Sequence, residues 1–450
     1  MQGRSVPFVD KKMTLWKYVR QKLSPILDLQ QDSDFFVLLK YQFILHGVQL
    51  RTEWLWLRAL FLLYQLLLPA QGIIWLWRTW AVAYIEHNTP LAVSLLCGQF
   101  TITSIVARYV LLLRSYAQLQ PIKRHINEQR FMRGHPRAHA LRQQAFRTNN
   151  VLILALMVYG VLNFVVYEAS GLHWHEIFRM PDYLLATNRP LTWTLHLIMR
   201  PITFNGLGAF IATFVSIHTM LTVLHAELLL VEFAFVGLLE RVERHVQATG
   251  AQVPHLLWQQ FNRELGSCVR EHSVVLKYVA RVREVYRVHS LSITVQYYTA
   301  LLSLAIDTFF ISYYGLNFVS VCVSIFSVLL VFEWYYCCKL VEDLQATNKR
   351  IGWTLYNDKW SDWLQYGKEQ PAALREFRTT LSIILLATQR SLSLRGSDIV
   401  EVSWQTFASM LKTSYSICVS CGYDSNFIAQ DRTSVSLDMY SSVLSWYSQR

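Results

Sequence analysis

Apolar residues along this chain gather in stretches about as long as a bilayer crossing, separated by polar blocks rich in Lys and Arg. Against the ~20 mostly apolar residues that a spanning helix needs, the pattern predicts spans over 55–76, 91–113, 149–169, 202–224, 291–314, 316–336 and 400–422. The fourth stretch is too long for one crossing, since apolar residues run from Ile202 to Leu239 with Glu227 and Glu232 only in the later half. It predicts a helix that leaves the membrane and continues into the cytoplasm. Between Ala372 and Ser391, Leu374, Phe377, Leu381, Ile384 and Leu385 recur at helical spacing, with Arg375, Glu376 and Arg378 among them. That period marks a half-buried helix rather than a lipid-facing one. Its expected place is inside the cell, against the extensions of neighbouring helices.

Basic residues set the orientation. They are dense in the amino-terminal segment (Arg4, Lys11, Lys12, Lys17, Arg20, Lys22, Lys40, Arg51), and Arg78 stands alone in the next loop. They are dense again over 114–148 and sparse over 170–200, where only Arg179, Arg189 and Arg200 occur. The connector from Arg241 to Arg287 and the stretch 339–395 are basic, the turn at Tyr314-Gly315 is not, and the tail holds Arg432 and Arg450. This alternation predicts an all-α membrane protein with seven transmembrane helices, a cytoplasmic amino terminus, an extracellular carboxy terminus and a helical cytoplasmic anchor. The layout is opposite to that of a G-protein-coupled receptor.

Composition agrees with lipid as the main solvent. Charged residues are 16% of the chain, against roughly 25% in soluble domains, and hydrophobic ones are 53%. The 15 Trp, 23 Tyr and 24 Phe suit membrane interfaces and apolar pockets. A net charge of +12 can signal nucleic acid, but here the basic residues lie in blocks between apolar stretches, where they face anionic lipid. The expected partner is membrane lipid, with no nucleic acid. The first apolar run begins past residue 30 and follows a charged segment, so no cleavable signal peptide is expected.

Candidate chemistry is sparse. Cys418 and Cys421 form a Cys-x-x-Cys pair, but on an apolar helix without a second pair they read as small hydrophobes. His135 and His139 enclose Pro136 and Arg137, which favours a loop over a metal-binding helix, and His173 and His175 flank Trp174. No catalytic residue, metal site or cofactor is expected, and the chain does not read as an enzyme. Ionisable residues inside spans are costly and therefore informative. Arg108 reads as snorkelling inward, Glu333 as lying near the cytoplasmic interface, and Glu168 and Asp307 as solvated outer helix ends. A cation-attracting vestibule is the alternative for the last two. Phe100, Tyr159, Phe164, Phe204, Phe210, Phe309, Tyr313 and Phe318 crowd the outer halves of the spans and are the candidates to enclose an apolar ligand cavity.

From the sixth span onward a series of motifs stands out. Tyr335-Tyr336-Cys337-Cys338 is followed by Leu340, Glu342-Asp343, Tyr356 and Trp360. Next comes Ile383-Ile384-Leu385-Leu386-Ala387-Thr388-Gln389-Arg390-Ser391, then Val402-Ser403-Trp404-Gln405-Thr406-Phe407 and Met410-Leu411-Lys412-Thr413-Ser414-Tyr415-Ser416. In order and spacing these resemble the closing region of insect odorant receptors. Gustatory receptors of the same superfamily are the alternative, but their usual "TYxxxxxQF" ending is absent.

The resemblance implies a tuning subunit of an odorant-gated, non-selective cation channel in the plasma membrane of a sensory-neuron dendrite. It would assemble with the common odorant co-receptor as a heterotetramer and bind small volatile organic ligands. It further implies that 55–338 form the odorant-binding bundle after a cytoplasmic segment 1–54, and that 339–398 form the anchor. Within 399–422, Tyr415, Cys418, Cys421 and Gly422 would line the pore. Family members carry bulkier residues there and stop soon afterwards, whereas this chain continues over 423–450 with a polar, Ser-rich tail.

Overall fold

The computed structural model describes residues 27–30, 34–49, 54–128, 130–180, 187–249, 254–288, 318–357, 371–396 and 400–424, with scattered positions between 294 and 315. Its helices are α1 (Val37–Leu45), α2 (Leu55–Tyr84), α3 (Thr89–Glu128), α4 (Pro136–Ala169), α5 (Arg189–Met199), α6 (Ile202–Val236) and α7 (Leu238–Thr249). They continue with α8 (Pro254–Val288), α9 (Phe318–Asn357), α10 (Pro371–Gln389) and α11 (Trp404–Asp424). A two-residue antiparallel bridge joins Arg395–Gly396 (β1) to Val400–Glu401 (β2).

Among the described residues, five helical segments are long and apolar enough to cross a membrane: α2, α3, α4, the run from α5 through α6, and α9. Most of the expected span 291–314 lies outside the described residues. The expected span 400–422 is present as α11 but is not one of the five, because Gln405, Thr406, Ser409, Lys412, Thr413 and Ser414 lower its hydropathy.

Overrun beyond the membrane is more widespread than the apolar pattern suggests. α3 and α9 each have 40 residues, α6 has 35 and α4 has 34. At 1.5 Å per residue the longest reach ~60 Å, about twice the hydrocarbon thickness. Hydropathy ends where lipid ends, whereas backbone hydrogen bonding continues through the amphipathic extensions. One consequence is that α9 runs unbroken through residue 338, where the bundle was expected to give way to the anchor. Another concerns His135 and Pro136, which begin a helix instead of forming a loop. His135 Nδ1 accepts from Arg137 N at 3.2 Å, and Pro136 stands at the first turn, where its missing N–H costs nothing.

Burial separates the centre from the lipid face. The most apolar window of α6 is 89% buried, against 22% for those of α2 and α4. A helix apolar on all sides belongs in the middle, and α6 is packed on α3, α4, α8 and α9. On α2, Leu62, Leu63, Leu66 and Ile73 remain exposed, as a lipid-facing stripe requires. The short helix α1 also docks on the bundle. α1 buries Leu38, Leu39, Gln42 and Phe43 and packs on α4 and α6. His46 then fills the notch left by Gly208 on α6, where a methyl group would overlap its ring. Tyr109 Oη donates to the His46 carbonyl at 2.8 Å.

Opposite the α2–α3 and α4–α5 loops, α8, α10 and the later half of α9 form a helical base. Trp258, Phe261 and Phe377 cluster there, with ring centroids 5.5–5.7 Å apart. Burial lowers the pKa of His272, and a ring nitrogen lies 2.9 Å from Asn348 Oδ1. Asn348 Nδ2 in turn donates to the Ala387 and Thr388 carbonyls, satisfying the end of α10.

Candidate functional site

A cavity of about 240 Å³ lies inside the bundle, near the loops that the charge pattern assigns to the cell exterior. Leu68 and Trp75 come to it from α2, Gly98, Ile102 and Ile105 from α3, and Asn163, Val166 and Tyr167 from α4. α6 adds Ile202, Thr203, Gly206 and Leu207, and α9 adds Cys322, Phe326 and Ser327. Leu172, Ile177 and Phe178 of the α4–α5 loop also line it. The wall is mostly apolar, with a few hydroxyl and amide groups.

Its loop side is held by Arg78 and Trp75. The terminal nitrogens of Arg78 donate to the carbonyls of Glu176 and Ile177, pinning that loop to α2. Trp75 Nε1 donates to the Leu95 carbonyl at 2.9 Å, and its ring packs edge-on against Phe178 at 5.9 Å. Gly98 makes room for this indole, since a Cβ there would lie 2.9 Å from Trp75 Cζ2. In the same loop, burial lowers the pKa of His175.

On the base side of the cavity the bundle turns ionic. Phe326 packs on Phe210 at 5.8 Å, and the Arg108 guanidinium stands 5.2 Å from the centre of the Phe210 ring. Arg108 is also paired with Glu333 of α9 through both carboxylate oxygens, Nη1 to Oε2 being 3.0 Å. The two residues are 4% and 0% exposed. This corrects the reading of Arg108 as snorkelling and of Glu333 as interfacial. In a low-dielectric bundle each neutralises the other, which is the cheapest way to keep a charge away from water. Arg142 and Glu227 repeat the arrangement between α4 and α6, at 2.7 and 2.8 Å. Glu232 accepts from Arg350 at 2.7 and 3.0 Å, and Glu168 takes Arg200 as a more exposed partner at 2.9 Å. Asp307 lies outside the described residues.

The described aromatic candidates are not among the residues that line the cavity. Phe100 and Phe318 are 54% and 50% exposed. Phe164 meets Phe204 at 5.5 Å, and Phe204 meets the His46 ring at the same distance. Tyr159 is half-buried on α4, and Phe210 is fully buried in the layer beneath Phe326. Phe309 and Tyr313 lie outside the described residues. Sequence reasoning passed over Trp75, Tyr167, Thr203, Gly206 and Phe326.

α11 is held where the motifs around Tyr335, Glu342 and Trp404 meet. Glu342 Oε1 accepts from Trp404 N at 2.8 Å, and Ser403 Oγ accepts from Thr406 N at 3.2 Å. Both satisfy amides at the start of the helix. Tyr335 packs on Trp404 and Phe407 at 5.0 and 5.8 Å. Phe407, Met410 and Ser414 form the buried stripe of α11, whereas Gln405, Ser409, Lys412, Thr413, Tyr415 and Ser416 are exposed. Cys418, Cys421 and Gly422 follow toward the helix end.

Comparison with known proteins gives one consistent result. A family model described as the 7tm odorant receptor matches residues 89–415. Odorant receptor 22b of Drosophila melanogaster is 23% identical over 158 residues, which are 35% of this chain and 36% of that receptor, so the match spans about a third of either protein. Olfactory receptor OR5 of Machilis hrabei has a similar fold, with a TM-score of 0.64 at 12% identity over 92% of this chain and 99% of that one. The same receptor in complex with eugenol gives 0.63 at 12% identity, over 91% and 99%. At such identity the structural likeness carries the fold alone.

Proposed function

Because this chain belongs to the 7tm odorant receptor family, a family of multi-pass membrane receptors and not of enzymes, we propose that it is the ligand-binding subunit of a heteromeric, odorant-gated, non-selective cation channel. Its partner is the common odorant co-receptor in a tetrameric assembly, and its place is the dendritic plasma membrane of an olfactory neuron. Small volatile organic molecules are the ligands.

The observation that carries this reading is the mostly apolar cavity of about 240 Å³, whose described lining holds no Asp, Glu, Lys, Arg or His, placed one layer of side chains from the Arg108–Glu333 pair. Eugenol, bound by the Machilis hrabei receptor of similar fold, is a molecule of the class such a cavity suits. Ligand contacts draw on α3, α4, α6 and α9 together, so occupancy favours one packing of these helices over another. Since α9 holds the start of α11 through Glu342 and Tyr335, a shift of α9 is passed to the pore helix. A ligand moves this equilibrium only by binding the open arrangement more tightly than the closed one. The polar exposed face of α11 suits a helix that meets water or neighbouring subunits. Tyr415, Cys418, Cys421 and Gly422 are the proposed pore positions, and Phe100, Tyr159, Phe164, Phe204, Phe210, Phe309, Tyr313 and Phe318 are proposed to support the ligand site from its surrounding layer.

The test is whole-cell recording from cells expressing this chain with the co-receptor. Odorant-evoked cation current that requires both subunits is the expected result. Silence across broad odorant panels despite surface delivery would remove the receptor reading, and full currents without the co-receptor would remove the heteromeric one.

A further inference from the structure

The end of α1 and the turn after it are fastened to two helices and set only loosely against a third. On α3, Tyr109 Oη donates to the His46 carbonyl at 2.8 Å, and Tyr116 Oη donates to Gln49 Oε1. One turn or two further along α3, the Lys123 ammonium lies 5.3–5.9 Å from the ring centres of Phe36, Phe43 and Tyr116. From α2, Gln65 Nε2 donates to the Gly47 carbonyl at 2.6 Å. Gly47, at φ +73°, is wedged between Tyr64 and Tyr109, where a Cβ would lie 2.9 Å from each side chain. Since α2 packs chiefly on α3, this tip belongs with that pair of helices.

The side turned to α6 is different. His46 meets α6 at Gly208, and Gln42, four residues earlier, shares its face. The two are 6% and 1% exposed. His46 Nδ1 and both amide atoms of Gln42 have no hydrogen-bond partner among the described residues, and the same holds for Nδ2 of Asn205 on α6. Beside them Tyr64 Oη reaches Asn205 Oδ1 at 3.3 Å, long for a hydroxyl bond. Hydrogen bonds fix a packing because losing them strands buried groups. A face whose polar groups are already unpaired gives up little when it moves. Its level is also informative. Gly208 follows Leu207 of the cavity wall and comes two residues before Phe210, on which Arg108 rests.

We propose that this face is a slip contact, over which the tip of α1 slides along α6 while it travels with α2 and α3. Gln42 and His46 are the positioning residues that set the balance between the two packings. The amino-terminal segment, cytoplasmic by its charge pattern, thereby tunes the ligand response from inside the cell. This deepens the receptor reading by naming a regulation, and it rests on that reading only for the effect on current.

Slippage can be measured on the full chain, spin-diluted in lipid nanodiscs, without a channel assay. Nitroxide labels at exposed Leu45, Arg124 and Val236 report α1 against α3 and α1 against α6 by pulsed electron spin resonance. A single narrow distance is expected between Leu45 and Arg124, and a broad or two-peaked one between Leu45 and Val236. Gln42→Leu removes two unpaired groups, so it should raise Tm and enrich one peak about three- to tenfold. Gly208→Ala crowds the His46 ring and should deplete that same peak. Beside the co-receptor, the two variants should move the odorant EC50 in opposite directions, each by about threefold or more. Two equally narrow distances, a broad distance to α3, a lower Tm for Gln42→Leu or unshifted EC50 values would each overturn the proposal. Distances that behave as expected in a chain that gives no current would leave the slip contact standing and remove the receptor reading instead.

Discussion

At the loop end of the bundle, α3 and α9 face each other across open space bounded by Gly98, Ile102, Cys322 and Phe326. One to two turns further along the same helices, Arg108 and Glu333 join them through a buried, two-point ion pair. The first region is held by contacts that are individually weak and non-directional. The second is held by an interaction that tolerates little displacement, because losing it strands a charge in a low-dielectric interior. A pair of helices loose at one end and clamped at the other can change its opening around a ligand without losing its register. In the present account the clamp sets the geometry from which the cavity end departs.

Breaking the clamp should produce the largest effect. Arg108→Leu or Glu333→Leu alone is expected to cost about 3–5 kcal/mol, read as loss of folded protein or a sharp fall in Tm in detergent. The double variant Arg108→Met/Glu333→Leu should recover most of that stability, since two apolar residues leave no charge stranded. Equal damage from the double variant and the singles would show that the pair is not the unit of stability.

Next in size is a contrast within one helix. Gly208 holds the His46 ring against α6, so Gly208→Ala should destabilise by about 1–3 kcal/mol through overpacking. At Gly206, two residues earlier, a Cβ meets nothing within 4 Å, and Gly206→Ala should stabilise the helix by about 0.5–1 kcal/mol. Opposite shifts in Tm are the expected signature. The smallest effect belongs to Arg200→Gln, which removes the exposed partner of Glu168 and should leave Tm unchanged within error, as surface ion pairs usually do. A fall comparable to that of Arg108→Leu would erase the distinction between the exposed and the buried pairs.

Much of this fold was legible in the sequence because lipid imposes a simple pattern. The spans of α2, α3, α4, α6 and α9 follow from apolar length, and α10 from its helical period. The motifs around Tyr335, Glu342, Trp404 and Phe407 also proved to be physically joined, since they hold the start of α11. The pairing of Arg108 with Glu333 was harder to see. The partners are 225 residues apart, and each alone has a plausible interfacial reading. The cavity was harder still, for a reason of volume. Large aromatic residues draw attention in a sequence but fill space, as Phe210 and Phe204 do here. Room for a ligand opens where small residues such as Gly98, Gly206, Thr203 and Ser327 converge from separate helices, and no local pattern records that convergence.

Gly206 lines the space proposed for the ligand and gives direct access to it. Recording odorant-evoked current from Gly206→Leu and Gly206→Ala beside the co-receptor, at matched surface expression, is the most direct test. The leucine should fill the cavity and abolish the response of a folded, delivered subunit, while the alanine retains most of it. Undiminished current from Gly206→Leu would place the ligand elsewhere and contradict the account.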